Sequence, residues 1–183
     1  SPQQYEQVQQ QHQQILSLIP YNGDYWTAYA DMQLWHLANT PNITPTQQKQ
    51  LKEGILSAYD TAIKQRPTWP YAYINFAIIK ARFGEIDDNF KNAVQKANHL
   101  GTWEADVIHP TIELGLALWS QLDAKTQQVV ASAVERSITW KVSAAQNQKE
   151  KIFALSLVGA YQKQAEICAL MSNQGQKAAN ICS

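Results

Sequence analysis

The chain has 183 residues, a length that suits one domain large enough to bury a real core. Its 15 Lys and Arg cancel its 15 Asp and Glu, so no net field gathers nucleic acid or anionic lipid, which argues against nucleic acid as a partner. Its longest apolar stretch, Ile152 to Ala160, falls far short of the roughly 20 residues that a helix needs to cross a bilayer.

In chain order, the opening Ser1-Pro2 has no methionine, which predicts that upstream sequence has been removed, a signal or anchor being the candidate. Tyr5 to Ile19 reads as a Gln-rich amphipathic helix with Tyr5, Val8, Ile15, Leu16 and Ile19 inward. Tyr21-Asn22-Gly23-Asp24 is a turn in which Asp24 is expected to cap the next helix, which runs to about Leu37. Asn39 to Gln47 is the main loop; it holds Pro41 and Pro45 and ends in Thr44-Pro45-Thr46 as a helix start. Its Asn42-Ile43-Thr44 sequon is a short, common pattern that carries little weight.

Leu51, Ile55, Ala58, Tyr59, Ala62 and Ile63 then recur at three and four residues and paint one apolar stripe along a helix. That helix must stop at Arg66, because Pro67 disfavours helical geometry at the residue before it. Pro70 suits the first turn of a new helix, where its missing N–H leaves no bond unmade, so a second helix runs to Phe83. Beyond it the pattern stays helical: Ile86 to Leu100, then Ala105 to Leu122 with Pro110 near its start. Asp123 caps a helix to about Trp140, with Val129, Val130, Ala133, Val134 and Ile138 inward, and Gln146 to Tyr161 is its partner. No segment alternates as a half-buried strand would, which predicts an all-α array of about eight or nine helices.

Two joints match the tetratricopeptide pattern, in which small and aromatic residues sit at fixed offsets about a turn proline. Val8, His12, Ile15 and Pro20 lead into Trp26, Tyr29 and Ala30; Ile55, Tyr59, Ala62 and Pro67 lead into Tyr73, Phe76, Ala77 and Gly84. A third joint, Phe90, Val94 and Ala97 before Leu100-Gly101-Thr102-Trp103, lacks the proline and carries one extra residue. Small residues let helix backbones approach while Trp, Tyr and Phe fill the gaps between stacked hairpins. The expectation is a single tetratricopeptide-like helical-hairpin domain over residues 1–183: a first hairpin at 1–38, the best-defined repeats at 46–122, and capping helices at 123–183.

Chemistry-bearing clusters are few. His99, Glu104, Asp106 and His109 are of metal-binding types, but their spacing fits no standard motif and straddles a turn, so they read as surface polar residues. Glu85, Asp87 and Asp88 directly follow Gly84 and are expected to cap the next helix, where negative charge meets the helix dipole. A catalytic carboxylate pair is the alternative reading of that set. The chain carries no nucleophile elbow, phosphate-binding glycine loop, zinc ligand pair or dinucleotide fingerprint. No catalytic residue, cofactor or metal is therefore assigned, and a binding or assembly role is expected.

Aromatic residues concentrate near the joints, among them Tyr25, Trp26, Tyr29, Trp35, Trp69, Tyr71, Tyr73, Trp103 and Trp119. Such rings fill inter-helix gaps, and one or two can line a partner or sugar groove, for which Tyr71 and Trp103 are the expected exposed pair. Trp69, Tyr71, Tyr73, Trp103 and Glu104 form the candidate groove set. Cys168 and Cys182 leave two readings. They pair in a disulfide if the last two helices form a hairpin turned at Asn173-Gln174-Gly175, or they are two buried free thiols. The disulfide would imply an oxidising compartment.

At the same joints the chain resembles the VpsP-type proteins encoded with bacterial exopolysaccharide biosynthesis and export systems. Arg66-Pro67-Thr68-Trp69-Pro70-Tyr71, Gly84-Glu85-Ile86-Asp87, Leu100-Gly101-Thr102-Trp103-Glu104 and Leu114-Gly115-Leu116-Ala117-Leu118-Trp119 look like that family's successive landmarks, over about residues 50 to 122. Glu166-Ile167-Cys168-Ala169 and Cys182 resemble its C-terminal cysteine pair. Thr102 and Ala105 depart from the pattern, where prolines are expected, which predicts a looser third turn. The resemblance implies a periplasmic helical domain behind an N-terminal membrane anchor, with no catalytic residues. It would support exopolysaccharide assembly or export by binding protein components of the machinery. A carbohydrate-binding module using the joint aromatics, with polysaccharide itself as partner, is the alternative. An all-α glycan-processing enzyme using Glu85, Asp87, Glu104 or Asp106 is a further one.

Overall fold

The computed structural model describes residues 2–139 and 143–182. Among them the protein is all-helical: α1 (Pro2–Leu18), α2 (Gly23–Asn39), α3 (Pro45–Gln65), α4 (Pro70–Arg82), α5 (Asp88–Leu100), α6 (Ala105–Ala117), α7 (Ala124–Thr139), α8 (Ala144–Ala160), α9 (Gln164–Leu170) and α10 (Asn173–Ala179). That is ten helices where eight or nine were expected, together with a 3-10 turn at Trp119–Gln121. Among the described residues no helix is long and apolar enough to cross a membrane.

Local chemistry sets most boundaries. Thr44 and Gln47 form a reciprocal capping box at the start of α3, and Arg66 ends that helix before Pro67. Asp87, Asp123 and Ser143 accept backbone N–H groups at the starts of α5, α7 and α8. The turn after α4 closes with Glu85 N–H donating to the Lys80 carbonyl at 2.9 Å and Gly84 N–H to that of Ala81 at 3.0 Å. This double bond pattern puts Gly84 at φ +72°, a conformation glycine adopts at little cost.

Several expectations need correction. Asn22, not Asp24, caps α2; its side chain accepts from the Asp24 N–H at 2.9 Å, and Asp24 instead pairs with Arg66. The third hairpin's first helix begins at Asp88, two residues after Ile86, because the Asp87 side chain caps it. Its second helix stops at Ala117, and the Trp119–Gln121 turn carries the chain to Asp123. The helix expected to end near Trp140 has its end outside the described residues. Val8 and Ile19 are exposed, so the inward face of α1 rests on Leu16, with Tyr5 and Ile15 half-buried.

From α1 to α9 helices adjacent in sequence are adjacent in space, α2 against α3 and α4 against α5 most extensively. From α4 onward alternate helices also touch: α4 with α6, α5 with α7, α6 with α8. The largest apolar cluster lies in this second half, around Phe90, Ile108, Ile112, Leu116, Val130, Val134, Val158 and Ile167. A smaller one, around Ala30, Ile55, Tyr59 and Ile79, joins α2, α3 and α4. Helices α6 and α7 approach closely where Gly115 meets Val130; a Cβ on Gly115 would fall 2.2 Å from Val130 Cγ2.

Cys168 and Cys182 form a disulfide with their Cα atoms 5.5 Å apart. The chain reverses between α9 and α10 at Met171-Ser172 rather than at residues 173–175, which belong to α10. The Ser172 hydroxyl caps α10 by accepting the Gly175 N–H and also bonds Glu135 of α7. Gln176 donates to the Cys168 carbonyl at 2.7 Å, so α10 is held both covalently and by polar contacts.

Candidate functional site

The α3–α4 joint folds into a small aromatic platform. Pro67 and Pro70 confine the turn, Trp69 N–H closes it on the Arg66 carbonyl at 3.0 Å, and the Tyr73 hydroxyl donates to the Pro67 carbonyl at 3.0 Å. The Arg66 guanidinium lies 4.0 Å from the Trp69 ring centre, a cation–π contact. Trp69 and Tyr71 meet edge to face with ring centres 5.0 Å apart.

The α5–α6 turn then seats on the same platform. Gly101 makes this approach possible, since a Cβ there would fall 2.9 Å from Pro70 Cβ and 3.0 Å from Val107 Cγ2. The Tyr71 hydroxyl donates to Glu104 Oε2 at 2.7 Å, and that bond, then burial and the nearby carboxylates, raise the Tyr71 pKa. Thr102, which stands where a proline was expected, has its hydroxyl 3.2 Å from the carbonyl oxygens of both Asn98 and His99. Trp69 is 41% exposed and Trp103 56%, whereas Tyr71 is half-buried. The exposed rings of the platform are therefore Trp69 and Trp103, not Tyr71 and Trp103.

Of the candidate set, the structure brings Trp69, Tyr71 and Glu104 together and carries Trp103 on the adjoining turn. Tyr73 ties the turn through its hydroxyl while its ring lines a different feature. That feature is a groove of about 590 Å³ between α3, α4 and α5, lined also by Asp60, Phe76, Asn92 and Lys96.

The other sequence candidates have local partners. Asp87 caps α5, as expected of the acidic run, but Glu85 does not cap; it bridges Lys52 and Lys80 at 2.7 Å each. Hydrogen bonds from those two lysines hold the Glu85 carboxyl below the usual carboxylate range. Burial opposes the charge on Lys80, but its bonds to Glu85 and Asp87 outweigh burial and raise its pKa. His109 turns away from His99, Glu104 and Asp106. Its Nε2 lies 2.5 Å from Oε2 of Glu150 on α8, and its ring packs on Phe153. Among the described residues, no three His, Cys, Asp or Glu side chains gather into a group that could hold a metal.

A second concavity, not anticipated from sequence, opens between α1, α2, the 40–44 loop and α3, with a volume of about 750 Å³. Tyr5 of α1 stacks on His36 of α2 with ring centres 3.6 Å apart and planes within 6°. His36 Nδ1 lies 2.9 Å from the Thr40 hydroxyl, and burial lowers the His36 pKa. Gln33, 5% exposed, lines the floor. One signal for it was present in the sequence: Gln33 follows Trp26, Tyr29 and Ala30 at helical spacing, a polar residue in an apolar stripe.

Compared with known proteins, the chain matches no family model, no curated protein and no solved structure.

Proposed function

We infer that this chain is a non-enzymatic, tetratricopeptide-like interaction domain that supports bacterial exopolysaccharide biosynthesis or export by docking protein components of the machinery. It works in the periplasm, at the inner membrane. The hairpin reading draws support from the sequential packing of the helices and from the contacts of α4, α5 and α6 with the next helix but one. The compartment draws support from the Cys168–Cys182 disulfide, since such bonds persist where the surroundings are oxidising.

The observation that carries the docking role is the platform of Trp69 and Trp103. Two large rings stand in water at neighbouring turns that Gly101, Pro70 and the Tyr71–Glu104 bond hold in place. Preordered, exposed tryptophans are the residues that supply most binding energy in protein interfaces, because they bury large area without much loss of conformational freedom.

Extracellular polysaccharide from cells lacking the gene, compared with the parent and with complemented strains, tests this reading. Deletion is expected to lower the polysaccharide and the unaltered gene to restore it. The Trp69→Ala/Trp103→Ala double variant is expected to fail while retaining native helicity and its disulfide. Unchanged polysaccharide in the deletion strain overturns the pathway; full rescue by the double variant overturns the platform as the docking surface.

A further inference from the structure

We propose that the groove between α1, α2 and α3 is a binding site for an uncharged glycan. Among the described residues its lining contains no Asp, Glu, Lys or Arg. A carboxylated, phosphorylated or cationic ligand would lose its hydration there and meet no opposite charge, a penalty that neutral hydroxyls do not carry. In place of charges the walls present the amides of Gln9, Gln33, Gln47, Gln50 and Asn42. Each primary amide offers both donors and an acceptor, and a sugar hydroxyl is likewise both.

One of these amides and one nearby hydroxyl stand without a side-chain partner among the described residues. The Gln33 side chain is nineteen-twentieths buried, lines the groove and makes no side-chain hydrogen bond among the described residues. The Tyr5 hydroxyl is out of contact with water and bonds nothing among the described residues. An amide that lines open space and bonds no other side chain can take up a ligand hydrogen bond without breaking one already made. Gly54 of α3 makes room for the amide: a Cβ there would stand 3.0 Å from Gln33 Oε1.

Ring surface is present as well, in the Tyr5–His36 stack and in Tyr29, for the apolar face of a pyranose. The volume, about 750 Å³, lies in the ~300–1,000 Å³ range of small-ligand sites and admits a short oligosaccharide. A protein segment docking by side-chain anchors would call for a mainly apolar groove, and this one is mainly polar. The site shares no residue with the Trp69–Trp103 platform and does not depend on the docking role assigned to it.

Calorimetric titration of the purified protein with maltohexaose, cellohexaose and isomaltohexaose, with a polygalacturonate hexamer as the charged counterpart, tests the proposal. At least one neutral hexamer is expected to bind, the charged one at least tenfold more weakly, and the affinity to be unchanged between 50 mM and 500 mM salt. Gln33→Leu is expected to weaken binding about tenfold, the loss of one ligand hydrogen bond, with its thermal midpoint unchanged or raised. Gly54→Ala, which displaces the same amide, is expected to weaken binding without unfolding the protein. Silence from all three neutral hexamers overturns the proposal. So does equal binding of the charged hexamer, or full affinity in both variants. Tighter binding of an uncharged Gly-Ser-Gln peptide than of any hexamer would reassign the groove to protein.

Discussion

Gly54 and Gly115 both lie inside helices, yet their surroundings are opposite. A Cβ on Gly115 would drive into the branched Val130 side chain at 2.2 and 2.8 Å, between two helices of the main core. A Cβ on Gly54 would meet only the amide tip of Gln33, at 3.0 Å, beside an open groove. One pair of buried polar residues shows the same contrast. Glu150, 1% exposed on α8, has both carboxylate oxygens bonded, to His109 and to Gln146 at 2.5 Å each, while the Gln33 side chain on α2 bonds nothing among the described residues. The α6–α8 region is thus closely packed, although Arg136 Nε and Ser137 Oγ of α7 find no partner among the described residues, and the α1–α3 region keeps open space in reserve. Closure of the first region stabilises the fold; openness of the second is what a ligand site requires.

The largest effect should come from breaking the tight side. Gly115→Ala is expected to cost about 3 kcal/mol in chemical denaturation, the upper range for overpacking, because neither helix can retreat from the main core. Combining it with Val130→Ala should recover part of that loss, and no recovery would show that the contact is not the cause. At the open side, Gly54→Ala should leave stability within about 1 kcal/mol, as helix propensity gained offsets the shift of a flexible amide.

Next in size is the tether at the C-terminal end of the packed region. Cys182→Ser, or reduction, is expected to lower stability by roughly 3 kcal/mol, given a sequence separation of 14 between the bonded positions. Hydrogen exchange should locate the new mobility in α9 and α10, whose contacts are chiefly with α7. Global unfolding without that localisation would show that α10 is integral to the core rather than fastened to it.

The smallest effects test two turns of one geometry. After α8, Lys163 N–H donates to the Val158 carbonyl and Gln162 N–H to that of Gly159, repeating the pattern that Gly84 completes after α4. Gln162 holds φ +53° where Gly84 holds +72°. Gly84→Ala should therefore cost about 1 kcal/mol, with nothing within 4 Å to add a clash, and Gln162→Gly should gain about as much. Thermal midpoints of the two variants should move in opposite directions.

These contrasts also explain what could be read from the chain. Helix starts were legible where a side chain caps its own neighbours: Thr44, Asp87 and Asp123 act within three residues of where they stand. So was the joint, because Pro67 and Pro70 constrain backbone angles whatever surrounds them. Of the groove only the polar break at Gln33 in an apolar stripe was legible, because its walls are made by the relation of α1 to α3 across the 40–44 loop. The pairing of His109 with Glu150 is equally remote, joining residues 41 apart. Asp24 misled as a cap because Asn22, two residues earlier, reaches the same helix end first.

The absence of a side chain at Gly101 has a mechanical consequence. With no methyl group to separate them, the third joint rests directly on Pro70, and the Tyr71–Glu104 bond fastens it like a latch. The turns that carry Trp69 and Trp103 are therefore braced against each other like the two sides of a hinge that has been pinned, and cutting the pin with Tyr71→Phe would leave them braced through Gly101 on Pro70.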